Sequence, residues 1–339
     1  MQIADRRAAA AFEASPPDKR NGRGGGAPQQ SVTTVEGTAF AAEQRHEFEF
    51  LLGSNKTTAL PEARHAPRRR IEKNTKIGNM AAPAVNMLWI GDRLGRVELL
   101  SIASWLACGH AVRLHVYQPV ANVPPEVDLV DGELTVPFAK MKRLRHRKTG
   151  SYALASDYFR YRLQLVAGGL WSDLDVVCLK PVNIEGACLF GLEDETLING
   201  AVLYLDAGLP MTAELESLFR INYVPPWTRT RRARKARFKR FIGLPVRPAD
   251  LPWGTFGPGA LTALAHKYGL FESALPRQVF YPLHFGQARA VYDPAFSLDV
   301  ILREETLTLH LWNEMLRDLK HRPPPAGSPL AKLYAEYGV

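Results

Sequence analysis

The stretch Ser156-Asp157-Tyr158-Phe159-Arg160-Tyr161, followed by Gly168-Gly169-Leu170-Trp171-Ser172-Asp173-Leu174-Asp175, gathers three carboxylates and a guanidinium into a short run of chain. Alternate residues of a strand point to the same side, so Asp173 and Asp175 can converge on one hard cation if the segment is extended. Two carboxylates plus substrate phosphate oxygens are how proteins usually hold Mg2+ or Mn2+. Asp157 and Arg160, three residues apart, share one face of a helix.

Two elements must position these groups. Phe159, Leu163 and Val166 recur at the spacing of one helical face. Gly168 and Gly169 supply a C-terminal stop that tolerates positive φ. Residues 170–179 are apolar and Val-rich, which predicts a buried strand closed by Pro181. Upstream, 85–90 reads as a strand, 96–107 as an amphipathic helix, 112–117 as a second strand and 126–136 as surface loop with short strands. The alternation predicts an α/β fold.

Composition bounds the function classes. The chain has 339 residues, ample for a packed core, and 46% hydrophobic residues, ordinary for a globular protein. No apolar run reaches the length of a membrane-spanning helix, and the first 30 residues lack the apolar core of a secretory signal. Cys108, Cys178 and Cys188 fit no close metal spacing and are expected to be reduced thiols, which points to a cytoplasmic protein. The net charge of +9 is concentrated in two runs, 140–148 and 229–240. Such runs attract anionic partners, so peripheral contact with the anionic inner membrane face is expected. No nucleic-acid-binding pattern accompanies them, and no nucleic-acid partner is expected. Residues 1–79 are Gly-, Pro- and Arg-rich with almost no periodicity. They are expected to be a disordered extension, or a segment upstream of a true start at Met80.

Asp157, Arg160, Gly168, Gly169, Asp173 and Asp175, in this register, resemble the sugar-binding signature of the DXD glycosyltransferases. That group includes mannosyltransferases, globotriaosyl α1,4-galactosyltransferases and clostridial glucosylating toxins (glycosyltransferase family 32 and its relatives). The resemblance extends more thinly over residues 86–315. Leu88-Trp89-Ile90-Gly91 resembles the opening strand of the family, with Asn86 where a His is common, and implies that Trp89 stacks on the nucleotide base. Asn199-Gly200 resembles the strand from which an Asn reaches the donor sugar, although Asn-Gly between apolar runs is also an ordinary hairpin turn. Residues 257–262 resemble a loop on the acceptor side, and residues 227–250 read as an insertion over the active-site face. His310 and Trp312, in Thr308-Leu309-His310-Leu311-Trp312-Asn313, resemble the end of the domain, where a His joins the metal site and a Trp closes over the diphosphate.

The resemblance implies a GT-A, Rossmann-like nucleotide-sugar-binding fold: a single catalytic domain over 80–325 with helical insertions, followed by a C-terminal tail at 326–339. It implies a retaining, metal-dependent transferase. Asp173, Asp175 and His310 would hold Mn2+ or Mg2+ on the phosphates of a UDP- or GDP-sugar, and Asp157 and Arg160 would grip the sugar hydroxyls. The expected role is transfer to a glycan or glycolipid acceptor in capsule, lipopolysaccharide or other surface-polysaccharide synthesis. The alternatives are a toxin-like transferase acting on protein, or a non-catalytic protein that binds sugar nucleotides.

Overall fold

A computed structural model describes residues 82–146 and 149–339. The expectation for residues 1–79 lies outside the described residues. Strand β1 (Val85–Trp89), helix α1 (Arg96–Ala107) and strand β2 (Val112–Val116) form a parallel crossover, with Val85 opposite Val112 and Trp89 opposite Val116. Helix α1 stays on the sheet because Val97, Leu100, Ile102 and Trp105 are buried. Its Ser101 Oγ and Trp105 Nε1 donate to the Val176 carbonyl at 2.8 and 3.2 Å. Strand β3 (Asp128–Asp131) adds parallel to β2.

Helices α2 (Phe138–Leu144) and α3 (Ala153–Val166) lead to β4 (Leu170–Ser172), parallel to β1. Strands β6 (Cys188–Leu192) and β7 (Ile198–Leu205) complete the sheet in the order β3-β2-β1-β4-β7-β6, parallel as far as β4 and antiparallel beyond. Strand β5 (Val176–Cys178) pairs antiparallel with β8 (Thr308–His310) in a separate two-stranded sheet. Helices α4 (Pro210–Ser217), α5 (Arg231–Phe241), α6 (Pro258–Lys267), α7 (Arg277–Phe280) and α8 (Pro329–Glu336) fill the connections. The fold is mixed α/β, with a central sheet that is mainly parallel, as the alternation predicts. Among the described residues no helix is long and apolar enough to cross a membrane.

The single strand expected over 170–179 is broken. The chain leaves the sheet after Ser172, turns through Leu174 and Asp175, and resumes as β5 in the second sheet. A continuous buried strand would leave two carboxylates without partners in the core, whereas the turn delivers each to a different one. Val166 is 47% exposed rather than part of the core face, because it ends the helix beside the glycine turn. The segment expected to be a tail carries α8, whose Leu330, Leu333 and Tyr334 are buried. Arg96 Nη2 donates to the Val339 carbonyl at 2.6 Å. Cys108, Cys178 and Cys188 are free.

Gly168 and Gly169 both have positive φ, at 65° and 91°. A Cβ on Gly169 would stand 2.8 Å from Asn86 Nδ2, which donates to the Leu170 carbonyl at 3.1 Å, whereas a Cβ on Gly168 meets nothing within 4 Å. Gly168→Ala is therefore expected to cost about 1 kcal/mol, the left-handed penalty alone. Gly169→Ala should cost clearly more in urea unfolding. Equal losses would show that the β1–β4 junction tolerates the extra atom.

Candidate active site

The signature helix α3 buries its Arg. Arg160 lies between two carboxylates, with Nη2 3.0 Å from Asp173 Oδ1 and 3.5 Å from Asp157 Oδ1. Its Nη1 donates to the Gly200 carbonyl on β7 at 2.5 Å. The arginine side chain is only 8% exposed, against 18% for Asp157 and 26% for Asp173. Trp171 Nε1 also donates to Asp173 Oδ1, at 2.9 Å. Asp157 meets the loop before α6: a Cβ on Gly257 would stand 2.9 Å from its Oδ2, so any larger residue there would displace the carboxylate. Tyr161 Oη donates to the Phe256 carbonyl at 3.0 Å and locks the same loop to α3. Burial pushes the Asp157 carboxyl up to about 7, against the pull of Arg160 and helped by the like charge of Asp173. Burial also raises Asp173, against Arg160 and with Asp175 adding to the rise.

Asp175 sits in the opposite environment. The segment after β8 wraps it: Leu311 N–H donates to its backbone carbonyl at 2.8 Å, Asn313 N–H donates to Oδ2 at 2.8 Å, and His310 Nε2 lies 3.2 Å from Oδ2. Trp312, between the two donating amides, has φ 55° and ψ 56°, a left-handed conformation unusual for a residue with a large side chain. Its ring lies 4.0 Å from that of His310, and its Nε1 donates to the Leu283 carbonyl at 2.8 Å. Burial opposes the charge on Asp175, but His310 and the Asn313 amide outweigh it and hold the carboxyl below its ordinary value. Burial lowers His310, and the neighbouring Asp175, Asp173 and Glu193 more than restore it, so the imidazole is raised.

Asn199 lies within β7 rather than at a hairpin turn, and its side chain is engaged internally. Nδ2 donates to Glu193 Oε2 at 2.6 Å, and Oδ1 accepts from Ala201 N at 2.7 Å. Trp89 is at the end of β1, the same sheet end at which β4 gives way to Asp173. Trp89 and Trp312 pack against the same core cluster. The structure thus places the signature residues in two adjacent groups, Asp157–Arg160–Asp173 and Asp175–His310–Trp312, joined along the chain by the turn from Asp173 to Asp175. Trp89 belongs by position rather than by a hydrogen bond.

Three further residues belong to this neighbourhood and carry little sequence signal. Glu193, just beyond β6, is buried, and burial pushes its carboxyl up to about 7 against the Asn199 hydrogen bond. Tyr281 accepts from Val202 N at 3.0 Å, and its ring lies 5.8 Å from that of His310. Glu98, buried on α1, accepts from Asn313 Nδ2 at 3.2 Å. Glu193 is legible only as an acid at the end of an apolar strand.

The donor chemistry suits a hard divalent cation: two carboxylates and an imidazole whose buried Nδ1 has no partner among the described residues. Among the described residues no three such groups already converge as a metal cage. Asp173 faces Arg160, and His310 faces Asp175. An ion held by one or two of these groups would need further donors from outside the protein to complete its shell.

Arg160→Ala leaves two carboxylates without their shared cation, and we expect a loss of about 3–5 kcal/mol in urea unfolding. A loss below about 1 kcal/mol, the worth of an exposed pair, would show that the cluster does not depend on it. Asp157 and Glu193 keep a proton in the folded chain at pH values where the unfolded chain has lost it. Their stabilising share is therefore complete below the ordinary carboxylate range and is lost as pH rises through about 7. Glu193→Gln, which preserves an acceptor for Asn199, should flatten the fall in stability between pH 4.5 and 7. The difference in slope is expected to reach about 1.4 kcal/mol per pH unit. Superimposable pH–stability curves would show that Glu193 titrates alike in both states.

No family model and no curated protein matches the chain. Among solved structures, a similar chain is the "PaToxG Glycosyltransferase", with a TM-score of 0.36 and 14% identity over 55% of this chain and 70% of that one. A likeness that distant carries no residue-level correspondence, and the functional reading rests on the site.

Proposed function

We propose that the protein is a metal-dependent, retaining glycosyltransferase of the GT-A type that moves a sugar from a nucleotide-sugar donor to a glycan or glycolipid acceptor. One observation carries the reading. At the end of β4 Arg160 pairs with the signature residues Asp157 and Asp173, and two residues further on Asp175 pairs with His310, from the far end of the chain. Open α/β sheets bind ligands at the C-terminal ends of their parallel strands. The surface-polysaccharide role proposed for the chain follows from the sequence resemblance.

Donor cleavage is slow because a nucleoside diphosphate must leave with its negative charge. A bound Mn2+ or Mg2+ would supply the positive charge that offsets this departure. Asp175 is the carboxylate best suited to hold it, being ionised through His310 and Asn313, and Asp173 and His310 would complete the protein's share. Trp312 would cover the diphosphate and Trp89 the base. Asp157 would face the sugar, while Asn199, engaged by Glu193 and the Ala201 amide, would support the site from beside it. Arg160 holds Asp157 and Asp173 in place, so its contribution to sugar recognition is made through them. No carboxylate of the chain is assigned as a covalent nucleophile, and a front-face substitution with retention is the mechanism proposed.

The test is release of nucleoside diphosphate from a panel of UDP- and GDP-sugars by the full chain with Mn2+. We expect turnover with at least one donor, its loss on chelation, and recovery when Mn2+ is restored. Asp175→Asn, which keeps the shape of the side chain, should lower the rate by about a hundred-fold or more while leaving the circular dichroism spectrum unchanged. Turnover by a folded Asp175→Asn chain near the wild-type rate would remove the metal role of Asp175. No turnover with any donor would remove the transferase reading.

A further inference from the structure

Helix α5 carries a surface that the candidate site does not use. Between Glu216 and Asp250 the chain contains no acidic residue. The helix starts cleanly, with Thr230 Oγ1 accepting from Ala233 N at 3.1 Å, and its buried residues are two alanines, Ala233 and Ala236. At helical spacing the opposite face reads Arg231, Arg234, Lys235, Phe238 and Phe241, and runs on into Ile242 and Leu244. Phe238 is 61% exposed and Phe241 86%, with Ile242 and Leu244 half exposed. Large apolar side chains on the outer face of a strongly basic helix do nothing for the folding of that helix.

Most cations of this helix are also uncommitted. Among the described residues Arg231, Arg234, Lys235, Lys239 and Arg240 make no ion pair. Arg237 differs: it donates to the Pro225 and Thr228 carbonyls at 2.8 and 2.9 Å and so holds the helix to the loop before it. The first basic run differs as well, since Lys140 lies over the Tyr158 ring and Lys142 over that of Phe138. Among the described residues of the two basic runs, those of α5 combine outward cations with outward aromatic and aliphatic groups.

We propose that α5 and the turn that follows it, through Leu244, dock on an anionic lipid bilayer. The cations meet the headgroups, while Phe238, Phe241, Ile242 and Leu244 enter the interfacial layer, the arrangement of an amphipathic helix lying in the membrane plane. A purely electrostatic partner leaves the apolar groups unexplained, and Ile242 and Leu244 offer no ring for a base to stack on. The surface is tied to the candidate site: Trp227, just before α5, donates from Nε1 to the Thr255 carbonyl at 3.0 Å, two residues before the Gly257 that faces Asp157. Docking would hold that loop near the lipid surface. The proposal stands on this surface alone and does not need the transferase reading.

The test is flotation of the full chain with vesicles of phosphatidylcholine and phosphatidylserine, against vesicles of phosphatidylcholine alone. We expect binding to the mixed vesicles only, weakening as salt is raised. Replacing Arg231, Arg234, Lys235 and Arg240 by Gln should weaken it by about five-fold per cation removed. Phe238→Ser with Phe241→Ser should weaken it by about ten-fold per ring while melting temperature stays unchanged. Phe241→Trp supplies a readout that does not depend on the serine variant folding: its added emission should shift to the blue on the mixed vesicles. Failure of the wild type to bind, unshifted emission from the Phe241→Trp chain, or serine-variant binding equal to wild type would overturn the proposal. So would tighter binding to single-stranded oligouridylate than to vesicles, lost in the same Gln variants.

Discussion

A guanidinium held away from water between two carboxylates is the constraint on which the rest of the site depends. Arg160 cannot be removed from the core without stranding Asp157 and Asp173, and neither acid can be buried there without it. The same group reaches the Gly200 carbonyl and so ties helix α3 to strand β7. Helix α3, strand β7 and the loop after β4 are thereby held by one planar cation, whose fork of donors suits several acceptors at once. The aromatic residues around it, Phe159, Tyr161 and Trp171, are all buried.

The carboxylates of this cluster are driven in opposite directions. Asp157 and Glu193 are pushed up to about 7 by burial, while Asp175 is held low by an imidazole and a backbone amide. Groups of one chemical type kept in different protonation states have separate work to do. Here Asp175 is biased towards its charged form and Asp157 and Glu193 towards their neutral forms. The left-handed backbone at Trp312 belongs to the same design, since it allows the amides on either side of that residue to reach one aspartate.

Where local pattern governs, the sequence is informative. The periodicity of 96–107 gives α1 with its observed ends, and the glycine pair marks the end of α3 because φ there is positive. The acids of the signature are visible for the same reason: their spacing along a helix and around a turn is local. The break between β4 and β5 is not legible, because 170–179 reads as one apolar run. What interrupts it is the pull of residues 310–313 on Asp175, across 135 positions of chain in the case of His310. Glu193 is missed for a related reason, since an acid after an apolar strand becomes significant only when burial and Asn199 are seen around it. Arg160 shows the limit in another way. Its spacing from Asp157 is plain, yet whether it faces a ligand or the interior is decided by β7 and Asp173, which no local pattern records.

The wrapping of Asp175 by Leu311 and Asn313 also has a meaning in time. A chain is made from its N-terminus, and most of the central sheet has emerged from the ribosome long before β8 exists. Until Thr308–His310 is added, β5 has no partner strand and Asp175 lacks the donors that hold it ionised. The nascent protein can therefore build its central sheet while the Asp175 part of its acidic centre remains unassembled. Completion arrives late, with the residues from Thr308 onward, so a chain cut short by stalled translation is released with the Arg160 cluster encoded but Asp175 without its partners.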